Sequence, residues 1–314
     1  MNGAEDLFVT APGKVMFAGE YAVLRGGEAI LVTVDRRARA SVGTGNSELL
    51  DALNRVFLQR GMENAASRLG QLGVDTRSFY DPGGEKLGIG SSAAAVVAAT
   101  GFSLWQGENP GLDEVLEVAR QAHGDFQADK GARGSGVDVV ASAVGGALAA
   151  KASGEYERLT LPEEFCWRLV WTGRAASSPN LVSLVNTFVE ANGAEAERLF
   201  TDLADVATQF RNACEKDSAA HAVGALDCGA LALAALGQAA QVDIELPIHK
   251  ELREKASRFG GTAKPVGAGG GDVCLCAFAS QSDLEKFTGS VADGVSFLSL
   301  DQEPKGVLWS DEAS

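Results

Sequence analysis

Three glycine-rich segments constrain this chain more than any other feature of its sequence. Motif 1 is residues 12–21 and reads PGKVMFAGEY, motif 2 is residues 85–94 and reads EKLGIGSSAA, and motif 3 is residues 263–272 and reads AKPVGAGGGD. Glycine lets a phosphate approach the backbone closely, because it carries no side chain. One such segment alone is no more than a tight turn. Three in one chain predict an enzyme that holds nucleotide phosphates with backbone N–H groups, as a kinase does.

The charge of the chain limits its partners. Its 314 residues include 27 Lys and Arg against 42 Asp and Glu, which gives a formal net charge of −15. An acidic surface repels nucleic acid and anionic membranes, so we expect neither as a partner. A phosphorylated substrate must therefore meet a local basic pocket. The length suits one large domain or two modest domains that share a cleft.

The sequence also predicts where the protein resides and what it lacks. No run of 18 apolar residues is present, so we expect no membrane-spanning helix. The N-terminal MNGAEDLFVT lacks the apolar core of a signal peptide. The five cysteines have no CxxC spacing, which argues against disulfides and structural zinc. They are Cys166, Cys214, Cys228, Cys274 and Cys276. We expect a cytoplasmic protein, a monomer or homodimer, with no metal except an ion brought by a nucleotide.

Hydrophobic periodicity predicts a chain of mixed helix and strand. Strand-like runs begin the chain and reach residue 40, and residues 47–69 carry apolar residues at helical spacing. A helix is expected to begin at Ser91, directly after the glycines of motif 2, and a long helical region covers 180–236. Residues 301–314 are polar, and we expect them to fray.

Motif 2 has the features of a phosphate-binding loop. Gly88 and Gly90 leave room for a phosphate, and the helix that follows points its N-terminal N–H groups at it. Ser91 and Ser92 add hydroxyls, one of which can ligate Mg²⁺. The Walker A pattern GxxxxGK[ST] is absent, and the dinucleotide pattern GxGxxG is not met because Ala93 replaces its third glycine. The alternative is a glycine turn followed by a serine helix cap.

In order and spacing, the three motifs resemble those of the GHMP kinases, the superfamily of galactokinase, homoserine kinase and mevalonate kinase. The likeness covers roughly residues 8–280. It implies an α/β (α+β) fold of two domains with the active site in the cleft between them. An N-terminal ATP-binding domain like ribosomal protein S5 would span residues 1–155, and a C-terminal α/β domain 156–314. The resemblance also implies ATP, Mg²⁺ and a small-molecule acceptor.

Several segments resemble the phosphomevalonate kinase branch of that superfamily. They read RSFYDPGGEKLGIGSSAA at 77–94, GSGVDVVASAVGG at 134–146, WTGRAASSPNLV at 171–182 and AKPVGAGGGD at 263–272. The resemblance implies phosphorylation of 5-phosphomevalonate to 5-diphosphomevalonate, a step of the mevalonate pathway of isoprenoid biosynthesis. Mevalonate kinase is the near alternative, and mevalonate diphosphate decarboxylase is a more distant one. A non-catalytic ATP-binding sensor is a third.

Two residues are assigned to the phosphoryl transfer itself. Lys14 would place a cation between the donor and acceptor phosphates, where the reaction needs charge stabilisation. Asp138 would accept the proton of an acceptor hydroxyl. A phosphate monoester has a second pKa of about 6, so its attacking oxygen can already be ionised and Asp138 would then mainly orient Lys14. The alternative for Asp138 is a helix cap.

The remaining assignments surround the nucleotide and the acceptor. Nucleotide contacts are assigned to Lys86, Gly88, Gly90, Ser91, Ser92 and Ala93, with Ser92 as the metal ligand. Acceptor contacts are assigned to Glu20, Ser135, Gly136, Arg174, Ser177, Ser178, Lys264, Gly267, Gly269 and Gly270. Three more arginines compete with Arg174 for the acceptor's anions, namely Arg36, Arg37 and Arg133. Mevalonate kinase carries Glu where Gln127 stands, which leaves the second metal ligand open. His123 is expected to be structural or exposed.

Overall fold

The protein combines helices with two β-sheets. A computed structural model describes residues 7–45, 47–81, 83–132, 134–176, 178–291 and 295–311. The chain is 50% helical and 22% strand, which confirms the mixture expected from the sequence.

Six strands form the first sheet. They are β1 (Leu7–Ala18), β2 (Glu28–Val42), β3 (Leu72–Asp75), β4 (Ala147–Lys151), β5 (Tyr156–Leu159) and β10 (Leu308–Asp311). Their order is β10-β1-β2-β4-β5, with β3 also paired to β2, and every pairing is antiparallel. β1 is one continuous strand that contains most of motif 1, and its register with β2 shifts between Pro12 and Gly13. The second half of β1 is wholly buried, so the backbone of Lys14 lies in the interior of the protein.

Five helices belong to the first half of the chain. They are α1 (Glu48–Gln59), α2 (Glu63–Leu69), α3 (Ser91–Leu104), α4 (Leu112–Asp129) and α5 (Val137–Val144). The helical character expected over 47–69 is confirmed, and the chain turns at Gly61, with a left-handed φ of 68°, between the two helices of this region. The expected start of a helix at Ser91 is confirmed. α3 is alanine-rich and buried almost throughout, which lets it pack closely on β1 and β2.

The second half of the chain forms a four-stranded antiparallel sheet with five helices. The strands are β6 (Cys166–Trp171), β7 (Thr262–Pro265), β8 (Val273–Phe278) and β9 (Ser296–Leu298), in the order β7-β8-β6-β9. The helices are α6 (Ser178–Ala191), α7 (Gly193–Glu215), α8 (Ala219–Ala240), α9 (Pro247–Ser257) and α10 (Gln281–Val291). The glycines of motif 3 form the turn between β7 and β8.

α8 is a long and apolar helix. In the described part of the chain it is the one helix that could cross a membrane by length and composition alone. Length and composition alone do not overturn the expectation of no membrane-spanning helix, which stays a prediction. Its apolar window is 50% buried within the fold, and α7 and β7 pack against it, as expected for a core helix.

The C-terminal segment returns to the first sheet. We expected residues 301–314 to fray, but Leu308–Asp311 pairs antiparallel with β1. The indole N–H of Trp309 donates to the carbonyl of Gly101 (3.1 Å), and Glu303 N–H donates to Thr33 O (2.9 Å). The pairing with β10 covers an otherwise open edge of β1, and the other two bonds fix the segment to α3 and β2. Residues 312–314 lie outside the described residues. The predicted domain boundary at 155/156 stays a prediction, although both β5 and β10 belong to the first sheet.

Candidate active site

A cleft of about 960 Å³ opens between motif 1 and motif 3, and none of the described residues of motif 2 is among those that line it. One wall comes from motif 1 and the short 3₁₀ turn Ala22–Arg25 that follows it. A second wall comes from α4 and the loop that leads into α5, and the far side comes from α6 and motif 3. Residues from both halves of the chain therefore line one cavity, as expected from the sequence.

Lys14 and Asp138 meet on the floor of this cleft. Lys14 Nζ lies 3.0 Å from Asp138 Oδ1, with side-chain exposures of 9% and 32%. The N–H of Lys14 donates to the carbonyl of Ile89 (2.9 Å), which fixes motif 1 against motif 2. Gly136 is the cap residue of α5, so the carboxylate of Asp138 is not used as a helix cap. The arrangement holds one ammonium group at a set position beside a partly solvated carboxylate.

Motif 2 approaches both other motifs through its glycines. Gly88 and Gly90 have left-handed φ values of 72° and 86°. A Cβ on Gly90 would lie 3.1 Å from carbons of Lys14, and a Cβ on Gly88 would lie 2.3 Å from Oδ2 of Asp272. Gly90 is also the cap of α3 and offers no side-chain cap bond, so the helix begins without one. An uncapped helix N-terminus beside a lysine suits a phosphate group.

His123 contacts Ser92, a contact that the sequence analysis missed. Its Nε2 lies 3.1 Å from Ser92 Oγ, and its buried Nδ1 has no partner among the described residues. Burial lowers the pKa of His123, and Lys14 and Lys86 lower it further while Asp138 opposes them. The imidazole is therefore neutral near pH 7. His123 lies four residues before Gln127 on α4, so both side chains share one helix face, and both line the cleft. That spacing is the sequence pattern that could have identified His123.

Asp272 ties motif 3 to the loop before α6. Its backbone N–H donates to Arg174 O (2.7 Å), and its Oδ1 accepts from the N–H of Ala176 (3.0 Å). Burial raises the pKa of the Asp272 carboxyl, and the nearby Lys86 and Lys14 act in the opposite direction. Sequence reasoning placed Asp272 at the end of a glycine turn and gave it no role of its own.

Lys86 lies beside the cleft. Its side chain is largely exposed. Desolvation of its ammonium group nevertheless lowers its pKa, as do Lys130 and Lys14, while Asp272 opposes them. Lys86 is not among the residues that line the cleft.

Only some of the residues predicted to bind the acceptor line the cleft. Ser135, Gly136, Ser178 and Gly267 line the cleft, as does Glu20. Gly269 and Gly270 instead pack on other parts of the protein: a Cβ there would lie 2.4 Å from Ile244 O and 2.8 Å from Leu181 Cδ1, respectively. Ser177 and Arg133 lie outside the described residues.

The described arginines that the sequence analysis proposed for the acceptor do not line the cleft. Arg174 is exposed and is not among the residues that line the cleft. Arg36 donates to Ser299 O (3.2 Å), and Arg37 pairs with Glu303 (3.2 Å), so both hold the C-terminal segment. The arginine that does line the cleft, within the described ranges, is Arg25, which the sequence analysis did not select. Its sequence signal was its position four residues after Tyr21 of motif 1.

Lys264 is placed away from the cleft. Its ammonium group is fully buried and forms an ion pair with the carboxylate of Glu20, whose side chain is 1% exposed. The sequence assigned both residues to the acceptor, but this pair gives Lys264 a partner within the protein instead. Close by, the hydroxyl of Tyr21 donates to Ala268 O (2.7 Å). Burial, and secondarily Glu20, raises the pKa of the Tyr21 hydroxyl, which keeps it a donor.

The chain is similar in sequence to known kinases. A phosphomevalonate kinase from Streptomyces sp. (strain CL190) is 26% identical in an alignment 356 positions long that covers 90% of this chain and 93% of the relative. A mevalonate kinase from Aeropyrum pernix is 26% identical in an alignment 320 positions long that covers 91% of this chain and 93% of the relative. No family model matches the chain.

A solved structure with the same fold is that of Streptococcus pneumoniae phosphomevalonate kinase in complex with phosphomevalonate and AMPPNP. It matches with a TM-score of 0.76 at 18% identity, over 94% of this chain and 99% of that chain. The fold matches that of this solved kinase, and the relatives that the chain resembles in sequence are phosphotransferases of the GHMP kinase superfamily. Within it, the chain is similar to phosphomevalonate kinases and mevalonate kinases.

His249 gives the stability of the protein a pH dependence. Its Nδ1 accepts the N–H of Leu246 (3.0 Å), and burial together with Lys264 lowers its pKa from 6.5 to about 4. Between those values the unfolded chain binds a proton that the folded protein does not, so stability falls as the pH falls. From about pH 7.5 to about pH 5, His249 should contribute a loss of about 2 kcal/mol.

The variant His249→Asn keeps an acceptor for the N–H of Leu246 but does not titrate. Urea unfolding of both proteins at the two pH values measures the difference, because other titrating groups are common to both. We expect the wild type to lose more stability on acidification than the variant. An equal loss in the two proteins would contradict the assignment.

Proposed function

We propose that the protein transfers the γ-phosphoryl group of ATP to 5-phosphomevalonate and forms 5-diphosphomevalonate and ADP. The observation that carries this proposal is the Lys14–Asp138 pair, which lies in a cleft lined by motifs 1 and 3, while motif 2 contacts the backbone of Lys14 through Ile89. A second observation favours an acceptor with two anionic groups. Arg25 lines the same cleft and forms no ion pair with a described residue, so its charge is available. Mevalonate, with one anionic group, is the second candidate.

The chemistry follows from the positions of the two charged groups. An oxygen of the acceptor phosphate forms a bond to the γ-phosphorus, the bond from that phosphorus to the β–γ bridging oxygen breaks, and ADP leaves with the electron pair. Lys14 stabilises the negative charge shared by donor and acceptor. Asp138 holds the ammonium of Lys14 in place, 3.0 Å away. With mevalonate, Asp138 would also have to accept the hydroxyl proton.

A magnesium ion fits this site as a companion of ATP. In the described part of the chain no group of three or more His, Cys, Asp or Glu side chains is arranged to hold a metal. Mg²⁺ usually takes one or two protein ligands together with phosphates and water. The Ser92 hydroxyl would hold the ion, with His123 behind it. The ion would neutralise charge on the nucleotide phosphates. We also propose that the enzyme acts in the cytoplasm, as a monomer or homodimer.

The decisive experiment compares two acceptors. ADP release is measured with MgATP and 5-phosphomevalonate and, in separate reactions, with MgATP and mevalonate. Turnover with the phosphorylated acid alone is the expected result. Turnover with mevalonate alone would move the assignment to mevalonate kinase. Binding of ATP without turnover of either acceptor would contradict both and point to another acceptor or to a sensor.

The variant Asp138→Asn separates the two roles of that carboxylate. With 5-phosphomevalonate we expect kcat to fall by less than about tenfold, because the attacking oxygen is already ionised and only the placement of Lys14 suffers. With an alcohol acceptor the fall would be on the order of 10²–10⁴, since a general base is lost. Lys14→Met is the matched comparison and should be far more damaging than Asp138→Asn with the phosphorylated acceptor. Equal losses in both variants would contradict a mainly orienting role.

The variant Arg25→Gln tests the contact to an acceptor anion. The guanidinium of Arg25 stacks 4.6 Å above the ring of Phe200, which leaves its N–H groups free to bind. A charged hydrogen bond is worth about 1.5–3 kcal/mol, so we expect the KM for 5-phosphomevalonate to rise at least about tenfold. The KM for ATP should stay within about twofold. Arg36→Gln, outside the cleft, is the control; equal effects in both variants would count against the contact.

A further inference from the structure

Two side chains of motif 1 hold motif 3 at two separate points. The carboxylate of Glu20 pairs with Lys264 at the end of β7, where motif 3 begins. The hydroxyl of Tyr21 donates to the carbonyl of Ala268, in the middle of the glycine turn (2.7 Å). We call these four residues the clasp. It joins residues separated by 244 and 247 positions in sequence, and thus links the two halves of the chain.

The ion pair of the clasp is sealed from water. Side-chain exposures are 1% for Glu20 and 0% for Lys264. Removing two charges from water is costly, and a buried pair is weak evidence for added stability. Its best-attested use is to fix one arrangement of the elements that it joins. The Glu20–Lys264 pair therefore sets the position of β7, and with it the start of motif 3, relative to motif 1.

The backbone of Tyr21 supports the same conclusion. Its φ of 59° and ψ of −43° are unusual for a bulky residue. Such a conformation persists only where the surroundings enforce it. It aims the hydroxyl at Ala268, and the 3₁₀ turn that follows carries Arg25 to the cleft. The clasp thus positions elements on both walls.

We propose that Glu20, Tyr21 and Lys264 are positioning residues that hold the glycine turn of motif 3 in register with Lys14. They act through contacts within the protein, whereas Gly267 and Ala268 of the turn line the cleft. The proposal rests on the proposed phosphoryl transfer. If the clasp loosens, substrates still bind, but fewer bound complexes have the turn in the reactive position. The loss then falls on kcat and leaves KM nearly unchanged.

The variant Tyr21→Phe removes one hydroxyl and is the first test. We expect kcat to fall about tenfold and the KM values for ATP and acceptor to change by less than about threefold. Tyr156→Phe is the matched control, because Tyr156 is exposed on β5, outside the clasp. A raised KM at unchanged kcat would mean that Tyr21 contacts a substrate, and unchanged kcat and KM would mean that the bond positions nothing. Either result would overturn the proposal.

The second test asks whether the two contacts act on one element. Glu20→Gln with Lys264→Met removes both charges together, so that neither is left buried alone. We expect the fold-loss in kcat of the triple variant, which adds Tyr21→Phe, to be smaller than the product of the two separate fold-losses. The reason is that a glycine turn already loosened by one change is affected less by the second. Independent, fully multiplicative losses would contradict a shared role. Failure of this multiple variant to fold leaves the Tyr21→Phe result as the deciding one.

Hydrogen exchange separates this proposal from the proposed function. Amide exchange of residues 266–271 is measured in wild type, Tyr21→Phe and Tyr156→Phe without any acceptor. Faster exchange in Tyr21→Phe alone supports the clasp, even if the enzyme proves to use a different acceptor. Equal exchange in all three proteins would overturn the clasp, even if 5-phosphomevalonate is the substrate.

Discussion

Motifs 1 and 3 both contact motif 2, because glycine occupies the points of closest approach. A Cβ on Gly13 would lie 2.6 Å from the carbonyl oxygen of Ile89, and one on Gly88 would lie 2.3 Å from the Asp272 carboxylate. Any larger residue would push these segments apart. Lys14 would then lose its backbone bond to Ile89 and its place beside Asp138. The cleft, its charges and its helix N-terminus all depend on this close backbone contact.

The cleft contains positively charged side chains although the chain as a whole is acidic. The net charge of −15 repels phosphorylated substrates at long range. Within the described residues that line the cleft, Lys14 and Arg25 are the lysine and arginine side chains. Lys14 is balanced by Asp138, whereas Arg25 forms no ion pair with a described residue. An anionic ligand that enters the cleft therefore meets the charge of Arg25, which no described carboxylate pairs with.

Much of the fold was predictable from local sequence, and the failures have common causes. The helix that begins at Ser91 was predictable, because two glycines precede an alanine-rich stretch. The pairing of Leu308–Asp311 with β1 was not, because a polar tail gives no periodic signal and its partner lies about 300 residues away. The burial of Lys264 was also missed. Lysine is almost never fully buried unless it is paired, and the sequence gives no sign that Glu20 is its partner.

The sequence by itself determined the chemistry that is available: three phosphate-type glycine motifs, a lysine within the first, an aspartate after the glycines at 134 and 136, and a helix that begins at Ser91. It did so because glycine content and helix starts are local properties of the chain. Only the tertiary structure decided which side chains meet. It paired Lys264 with Glu20 and placed Arg25 and His123 on the cleft, whereas the contact of Asp138 with Lys14 had been expected from the sequence. Those pairings depend on packing between distant segments, which no local pattern encodes.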